Sequence, residues 1–421
     1  MLLHLCLLAT SVVSAQTPQA PQARLLEALQ ANRLPLTMSD GRPAGPGWDL
    51  LVREARNARF TLIGEEHGVA ETAQLTAALF SALRGSGYTR FAFELSPPIA
   101  QDIEAAARRN GVQGIEDFLR TPNLFTFYNL QEEAQLLADV VQAAPNHQTK
   151  ERVLFGFDRE IFNDRYLISK LEPRVPPGAR AAFARLKEAS TNAWAQNART
   201  GNPDDMFILA ADSGLVAPLR AAWPNPDRES DAVLRTLEAS LAIETAERGG
   251  GAWPYMERRA QWGRSNFAAL LRGGAESPKI LMKFGYNHMI RGANYFNSFD
   301  IGAMADEVAA LTGDRAFHIL VLPGPGSRQA VLGAGGFGSV ASDSVDELRA
   351  GDQRLTRVLS NANATGHEVI DLRPLRRLAM RGLESWNADL VRTIYGYDAV
   401  VIWTGAHAAS GLTEPRSGPS R

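Results

Sequence analysis

Two glutamates and a histidine stand together in the segment Gly64-Glu65-Glu66-His67-Gly68, directly after a short apolar run. A neutral imidazole near its unperturbed pKa can take a proton from water while a neighbouring carboxylate orients the ring and stabilises the imidazolium. Because alternate side chains of an extended chain point the same way, Glu65 and His67 are expected on one side. The spacing predicts a general base, His67, for hydrolysis. The alternative is that Glu65 and Glu66 cap a following helix, whose N-terminus favours carboxylates.

Three further polar side chains come at or near the ends of other apolar runs. Glu94 interrupts such a run, and an ionised glutamate is seldom buried without a partner, so either chemistry or a buried ion pair is expected there. Asp158 closes another run and is either a site residue or an ordinary turn residue. His288 follows a third run, although a lone histidine is more often structural than catalytic. These residues complete the candidate site.

The apolar runs themselves have the length of β-strands. Between residues 58 and 95 the order is strand, turn, helix and strand, which is the βαβ unit that builds parallel sheets. Further runs of strand length are at 153–157, 280–284, 317–322, 369–372 and 399–403. We expect an α/β fold with a mostly parallel, doubly wound central sheet flanked by helices. Ligands of such sheets bind outside the carboxyl ends of the strands, where the candidate residues come.

The sequence pattern is different between about residues 163 and 275, where helical runs alternate with polar loops and no clear strand is evident. We interpret this stretch as a helical insertion that packs over the sheet. The predicted division of the chain is a signal peptide at 1–15, a linker at 16–40, a single α/β domain at 41–409 with the helical insertion 163–275, and a flexible tail at 410–421.

The first fifteen residues are apolar and end in Val13-Ser14-Ala15, with small residues where a signal peptidase requires them. This predicts secretion across the inner membrane and a periplasmic location. The stretch lacks Lys and Arg at its start, so a buried N-terminal helix is the alternative. It is also too short to predict a membrane span, and no stable membrane insertion is expected. The single cysteine, Cys6, lies inside it, which excludes thiol chemistry in the mature chain.

The charge balance excludes two classes of partner. The chain has 44 Lys and Arg against 46 Asp and Glu, so it carries no basic footprint for nucleic acid or for an anionic membrane. The Gly-x-Ser-x-Gly motif of serine hydrolases does not occur either. A small-molecule substrate is the remaining expectation, and the sequence says nothing about the oligomeric state.

Several segments together resemble the erythromycin esterase-like proteins. The stretches 62–71 and 91–94 are similar to the opening of that family, Phe155-Gly156-Phe157-Asp158 to its Gly-x-Asp strand end, and Asn287-His288 to the position of its second catalytic histidine. The wider superfamily includes haem-binding uptake lipoproteins and Tiki-type proteases. The resemblance extends in blocks over roughly residues 50–405, and it implies the α/β fold.

The resemblance also implies roles for individual residues. In the esterases the histidine matching His67 activates water, helped by the carboxylates matching Glu65 and Glu94 and by the histidine matching His288, without a required metal. We expect Glu66, Glu71 and Asp158 as supporting residues.

Three departures from the family pattern limit what can be transferred. The esterase spacing between glutamate and histidine is one residue longer than in this chain. Thr76 stands where the family has an arginine, and Gly285 stands where it has the first histidine of its second histidine motif. Hydrolysis of macrolides is therefore not expected by inheritance.

The leading hypothesis is an exported, periplasmic hydrolase that cleaves an ester or lactone with no required cofactor. A metal-dependent hydrolase is a second possibility, because Glu65, His67, Glu94, Asp158 and His288 could bind a divalent ion with an open position. A third is a haem-binding or metal-binding uptake protein, with histidines and tyrosines such as Tyr286 as axial haem ligands.

Overall fold

A computed structural model describes residues 21–126, 128–144, 151–273, 278–324, 326–333, 336–344, 359, 366–381 and 388–412. The predicted signal peptide at 1–15 lies outside the described residues, as does the segment 413–421 of the predicted tail.

The described strands are β1 (Arg33–Ser39), β2 (Arg42–Ala44), β3 (Phe60–Glu65), β4 (Tyr88–Phe93), β5 (Leu154–Gly156), β6 (Lys279–Gly285), β7 (Ala316–Pro323), β8 (Ser327–Gly333), β9 (Gly336–Ser344), β10 (His367–Asp371) and β11 (Ala399–Trp403). The described α-helices are α1 (Pro21–Ala31), α2 (Pro46–Arg56), α3 (Ala70–Leu83), α4 (Pro97–Leu119), α5 (Gln131–Ala143), α6 (Asp164–Leu171), α7 (Arg180–Thr200), α8 (Phe207–Ala210), α9 (Ala217–Ala222), α10 (Arg228–Gly250), α11 (Ala252–Arg272), α12 (Tyr286–Met289), α13 (Ile301–Leu311), and two C-terminal helices, Arg376–Arg381 and Ala388–Gly396.

Nine of these strands form one sheet, in the order β2-β1-β10-β11-β7-β3-β6-β4-β5. The pairs from β11 to β5 are parallel, whereas β2, β1 and β10 are joined by antiparallel pairs at one edge. Each of the seven apolar runs identified in the sequence forms a strand of this sheet. The prediction of a mostly parallel α/β sheet flanked by helices is therefore confirmed.

Apolar side chains cover both faces of the sheet, which explains why its strands are continuous apolar runs. Successive residues alternate between two clusters: Phe91 and Phe93 belong to the cluster under α3, α4 and α5, and Ala92 belongs to the cluster under α1, α11 and α13. Central strand β3 lies between β6 and β7, and all six of its residues are buried. The side chains at its carboxyl end are consequently held in fixed positions.

The region between β5 and β6 contains only helices and turns among its described residues, from α6 to α11. These helices lie within the range 163–275 that was interpreted as a helical insertion. Helix α10 packs on α4 and α11, and α11 packs on α13 beside the sheet. The insertion therefore contacts the end of the molecule where the candidate residues lie. No described helix combines the length and the apolarity needed to cross a bilayer.

Two boundary predictions differ from the structure. The linker prediction at 16–40 is wrong from Pro21 onward, because Leu25 and Leu29 of α1 are buried in the core and β1 pairs with β10. The prediction of a flexible tail is wrong for residues 410–412, since Gln131 N donates to Ser410 O at 2.8 Å and Leu412 is 3% exposed. In both segments a few apolar side chains are buried, although the neighbouring residues in the sequence are mostly polar, and this burial fixes the backbone.

Candidate active site

His67 follows β3 at the carboxyl edge of the sheet. Glu65 is the last residue of β3, and its Oε1 lies 3.0 Å from His67 Nδ1. Gly68 has a φ of 85°, a left-handed conformation that favours glycine, and it directs the chain from the strand into α3. The side chain of His67 is 24% exposed, so the ring can meet a bound molecule while its Nδ1 stays oriented by Glu65.

Glu94 connects the two histidines from directly after β4, the parallel strand that is separated from β3 by β6. Its Oε2 lies 3.4 Å from His67 Nε2, and its Oε1 lies 3.5 Å from His288 Nε2. The backbone N–H of Gly285 donates to Oε2 at 2.6 Å. A Cβ at Gly285 would come within 3.3 Å of both Glu94 Oε2 and His67 Nε2, so the absence of a side chain there lets β6 approach the pair. The buried carboxylate of Glu94 is the centre of the site.

His288 lies in the short helix α12, directly after β6, and is held by a residue that the sequence did not indicate. Its Nδ1 lies 2.7 Å from Oδ2 of Asp300. Asp300 is also the N-cap of α13, because its Oδ1 accepts from Ile301 N at 2.7 Å. The side chain of His288 is 7% exposed, so this imidazole is fixed to the scaffold on one side and faces Glu94 on the other.

Asp158 reaches the site through an arginine that the sequence reasoning also missed. Arg259 of α11 donates to Asp158 Oδ1 at 2.9 Å and to Oδ2 at 2.6 Å, and its NH2 also donates to Glu94 Oε1 at 2.6 Å. Such forked pairing fixes both carboxylates at once. Asp158 is therefore a supporting residue by position, with Arg259 between it and Glu94.

A buried lysine supports the opposite side of the site. Lys283 of β6 is 0% exposed, and its Nζ donates to Glu65 Oε1 at 2.5 Å and to Glu133 Oε1 at 2.7 Å. Lys283 interrupts an apolar strand as Glu94 does, so the sequence contained a signal for it. Glu133 belongs to α5, and nothing in its local sequence distinguishes it from other helix carboxylates.

Two other predicted supporting residues point elsewhere. Glu66 lies 3.8 Å from Arg328 at the start of β8, and its backbone N–H donates to Val321 O. Glu71 lies in the first turn of α3, and its Oε1 contacts Nδ1 of the exposed His407 at 2.5 Å. The carboxylate of Glu71 thus joins α3 to the chain after β11, and its observed partner is not a member of the His67–Glu94 pair.

The surroundings raise the pKa of both histidines. Burial opposes the charged form of His67, but the carboxylates of Glu94 and Glu65 outweigh it and raise its pKa to about 10. For His288, burial and Arg259 act downward, and Asp300 and Glu94 raise the pKa to about 9. Burial alone would raise the pKa of Glu94, but His288 and His67 hold it well below its ordinary value. The resting site therefore holds two imidazoliums across one carboxylate, where the sequence predicted a neutral base near its unperturbed pKa.

A count of charges explains this state. Arg159 extends the network, because it lies 3.6 Å from Asp158 and 2.6 Å from Glu244. The connected network then contains six buried carboxylates but three permanent cations: Glu65, Glu94, Glu133, Asp158, Glu244 and Asp300 against Lys283, Arg259 and Arg159. Protons on His67, on His288 and on one carboxyl group balance the excess. Burial raises the pKa of Glu133 to about 7, with Lys283 opposing and Glu65 adding to the rise, so Glu133 is the carboxyl group that most readily takes the third proton.

The histidines and carboxylates of the site are engaged with one another and with protein cations, and this donor set does not fit a resident divalent metal ion. Both ring nitrogens of His67 and of His288 face carboxylate oxygens, and each of the carboxylates Glu65 and Glu94 is already joined to a protein cation. Within the described part of the chain, no three His, Cys, Asp or Glu side chains are arranged to hold a metal ion. The cations that a divalent ion would replace are Lys283 and Arg259.

Comparisons with known proteins identify solved structures that share the fold of this chain. No protein-family model matches the sequence. No curated protein matches it either. Among solved structures, the chain is similar to a succinoglycan biosynthesis protein, with 14% identity, a TM-score of 0.62, and coverage of 94% of this chain and 100% of that chain. It is also similar to a protein from Bacillus cereus, with 14% identity, a TM-score of 0.60, and coverage of 93% and 99%.

A third similar structure is a mutant of erythromycin esterase in its open conformation, with 14% identity, a TM-score of 0.56, and coverage of 87% of this chain and 95% of that chain. At this identity the likeness concerns the fold alone. The fold that the resemblance to the erythromycin esterase-like proteins implied is therefore confirmed.

Proposed function

We propose that the chain is a hydrolase that cleaves an ester or lactone by water that His67 activates, without a required cofactor. The observation that carries the proposal is the position of His67 at the carboxyl edge of a parallel sheet, with Glu65 on Nδ1 and Glu94 beside Nε2. This pairing orients the ring for proton transfer. The partial exposure of the ring gives a water and a substrate access to it.

In the proposed reaction, His67 first loses its proton and then takes one from a water molecule that attacks the carbonyl carbon. Nδ1 of His67 keeps its hydrogen bond to Glu65 throughout, which fixes the tautomer. The protonated His288 stabilises the oxyanion of the tetrahedral intermediate. His67 then returns the proton to the leaving alkoxide and is neutral again, and it regains from solvent the proton that it lost in the first step. The cycle therefore consumes one water, and both histidines end as they began.

The shared fold with a solved erythromycin esterase supports hydrolysis as the class of reaction. The bond-cleaving groups of such a fold come at the carboxyl ends of its strands, where Glu65, Glu94 and His288 lie. The helical insertion contributes Arg259 to the site, and it is the element that would shape the space for a small-molecule substrate.

The test is hydrolysis of a small panel, p-nitrophenyl acetate, p-nitrophenyl butyrate and dihydrocoumarin, by the full chain with and without a chelator. We expect activity that the chelator leaves unchanged and that His67→Gln reduces by about 10²–10⁴-fold. The matched control is His407→Gln, which changes an exposed histidine. Activity that survives in His67→Gln would reject the mechanism, and a Soret band on haem titration without hydrolysis would favour the uptake protein instead.

We also propose that residues 1–15 direct the chain across the inner membrane to the periplasm, with cleavage after Ala15. Support comes from the apolar run and the small residues before the cleavage position. N-terminal sequencing of protein recovered from a periplasmic fraction is expected to begin at Gln16. Recovery of the uncleaved chain from the cytoplasm would reject the assignment.

A further inference from the structure

Lys283 is a buried cation that connects three elements of the fold. It belongs to β6, and its ammonium contacts Glu65 of β3 and Glu133 of α5. The ammonium also lies 5.1 Å from the centre of the Tyr128 ring, within the distance of a cation–π interaction. A buried ammonium is costly unless it is fully paired, so these contacts have to be present together for the site to form.

One carboxylate oxygen joins this group of residues to His67. Oε1 of Glu65 accepts from Lys283 Nζ at 2.5 Å and contacts His67 Nδ1 at 3.0 Å. Among the residues that the structure describes, none donates to the buried Oε2 of Glu65 or to the buried Oε2 of Glu133. The contacts therefore run in one line from Glu133 through Lys283 and Glu65 to His67.

We propose that Glu133 and Lys283 are positioning residues that set the orientation and the charge of His67 through Glu65. Their effect on turnover rests on the proposed function, whereas their effect on the imidazole of His67 needs no reaction. The hydrogen bonds that link Glu133 to His67 pass through Lys283 and then through Glu65.

The electrostatics give the direction of the effect. Burial raises the pKa of Glu133 to about 7, so its charge changes near neutral pH. When Glu133 is ionised, Lys283 is shared between two anions and neutralises Glu65 less completely. A more negative Glu65 holds the proton on His67 more tightly. Loss of the charge at Glu133 is therefore expected to lower the pKa of His67.

Among the residues that connect Glu133 to His67, Glu133 is the one whose charge is expected to change near neutral pH. The charged groups around it are as follows. It faces Lys283 from β6, Glu65 from β3, Tyr128 from the segment before α5 and, farther away, His67. The carboxylates of the helices packed against α5 have partners elsewhere: Glu71 of α3 contacts His407, and Glu104 and Glu116 of α4 contact Arg108 and Arg120.

The test is an NMR titration of the full chain labelled with ¹³C and ¹⁵N in histidine, with the His67 signal identified by its loss in His67→Gln. In the wild-type chain we expect a main step near pH 10 and a smaller inflection near pH 7 from Glu133. In Glu133→Gln the inflection disappears and the main step moves down by about half a pH unit. Glu132→Gln, a change at the adjacent carboxylate that contacts Ser410, is the matched control and leaves both features in place.

If Glu133→Gln does not fold, Glu133→Asp replaces it, and the inflection near pH 7 is expected to persist with a smaller amplitude because the charge is farther from Lys283. A single-step titration of His67 in the wild-type chain would overturn the proposal. So would a main step in Glu133→Gln that coincides with the wild-type step, since a purely structural role leaves the titration unchanged.

An activity measurement separates this proposal from the proposed function. With His67 as the base, a pKa lower by half a unit gives about a threefold higher kcat/KM for dihydrocoumarin at pH 8 in Glu133→Gln. A chain with no hydrolysis but a responsive His67 signal refutes the hydrolase and leaves the positioning role. Normal hydrolysis with an unresponsive signal refutes the positioning role alone.

Discussion

The two histidines of the site contact the same carboxylate, Glu94, from different surroundings. His67 is 24% exposed, and its second partner, Glu65, is backed by a buried lysine. His288 is 7% exposed, and its second partner is Asp300, the cap of a helix. The proton on His67 can therefore be exchanged with a bound molecule, whereas the proton on His288 belongs to the scaffold. This difference is the reason why the proposed mechanism gives the transfer of a proton to His67 and the stabilisation of charge to His288.

Substitution of each histidine by glutamine separates these roles most strongly. His67→Gln is expected to reduce kcat/KM by about 10²–10⁴-fold, because it removes the proposed base. His288→Gln is expected to lower the free energy of unfolding by about 1.5–3 kcal/mol, because it removes a charged hydrogen bond to buried Asp300. Hydrolysis assays and urea unfolding of both variants measure these effects. An undiminished kcat/KM in His67→Gln, or an undiminished free energy of unfolding in His288→Gln, would contradict the comparison.

Removal of the lysine behind Glu65 tests the support of the His67 side. Lys283→Met leaves two buried glutamates without their cation, and we expect a loss of about 3–5 kcal/mol in the free energy of unfolding. The matched control is Lys279→Met in the same strand. The ammonium of Lys279 donates to the exposed carbonyl of Arg56 at 2.7 Å and lies 5.7 Å from the centre of the Tyr88 ring, and its loss is expected to change the free energy of unfolding by less than about 1 kcal/mol. Similar midpoints in urea for the two variants would show that Lys283 is replaceable.

The pH dependence of stability tests the resting charges of the comparison. Folding raises the pKa of His67 to about 10 and of His288 to about 9, so the folded state binds more protons than the unfolded state. Their contribution is fully present below the unfolded pKa of about 6.5 and is lost as pH rises through 9 and 10. We expect the free energy of unfolding to fall by up to about 1.4 kcal/mol per pH unit for each histidine in that window. A flat profile from pH 7 to pH 10 would exclude two resting imidazoliums.

The pair between Glu71 and His407 gives the smallest effect. His407 is exposed, and exposed ion pairs contribute about 0–1 kcal/mol. His407→Ala is therefore expected to change the free energy of unfolding by no more than about 1 kcal/mol and to leave kcat/KM within about twofold. A tenfold decrease in kcat/KM would show that Glu71 and His407 contribute to the reaction.

Most of the sheet could be predicted because its strands are buried on both faces and are therefore continuous apolar runs. The edge strands β1 and β2 and the separate antiparallel hairpin of β8 and β9 were missed. β1 contains Pro35 and alternates polar with apolar residues, as an edge strand does, so its pairing with β10 depends on a contact distant in sequence. Local patterns identify buried strands more readily than edges.

The residues of the site also divide into those that a local sequence pattern indicates and those that only tertiary packing brings together. Glu65, Glu94 and His288 could be predicted to meet because each comes at the carboxyl end of a parallel strand. Arg259 and Glu133 lie on helices where a charged residue is unremarkable, and only the packing of α11 and α5 brings them to the sheet. The pKa of His67 is raised by Glu94 and Glu65, and the sequence did not show that both carboxylates would lie within 3.4 Å of the two ring nitrogens.

The most direct measurement of the central claim is the pH profile of kcat/KM for dihydrocoumarin between pH 6 and pH 9, with the His67→Gln rate subtracted. Because His67 has to lose a proton held with a pKa of about 10 before it acts as the base, log kcat/KM is expected to rise by about one per pH unit without a plateau. A plateau above pH 7, or a rate that falls as pH rises, would show that the imidazolium of His67 is not the precursor of a general base.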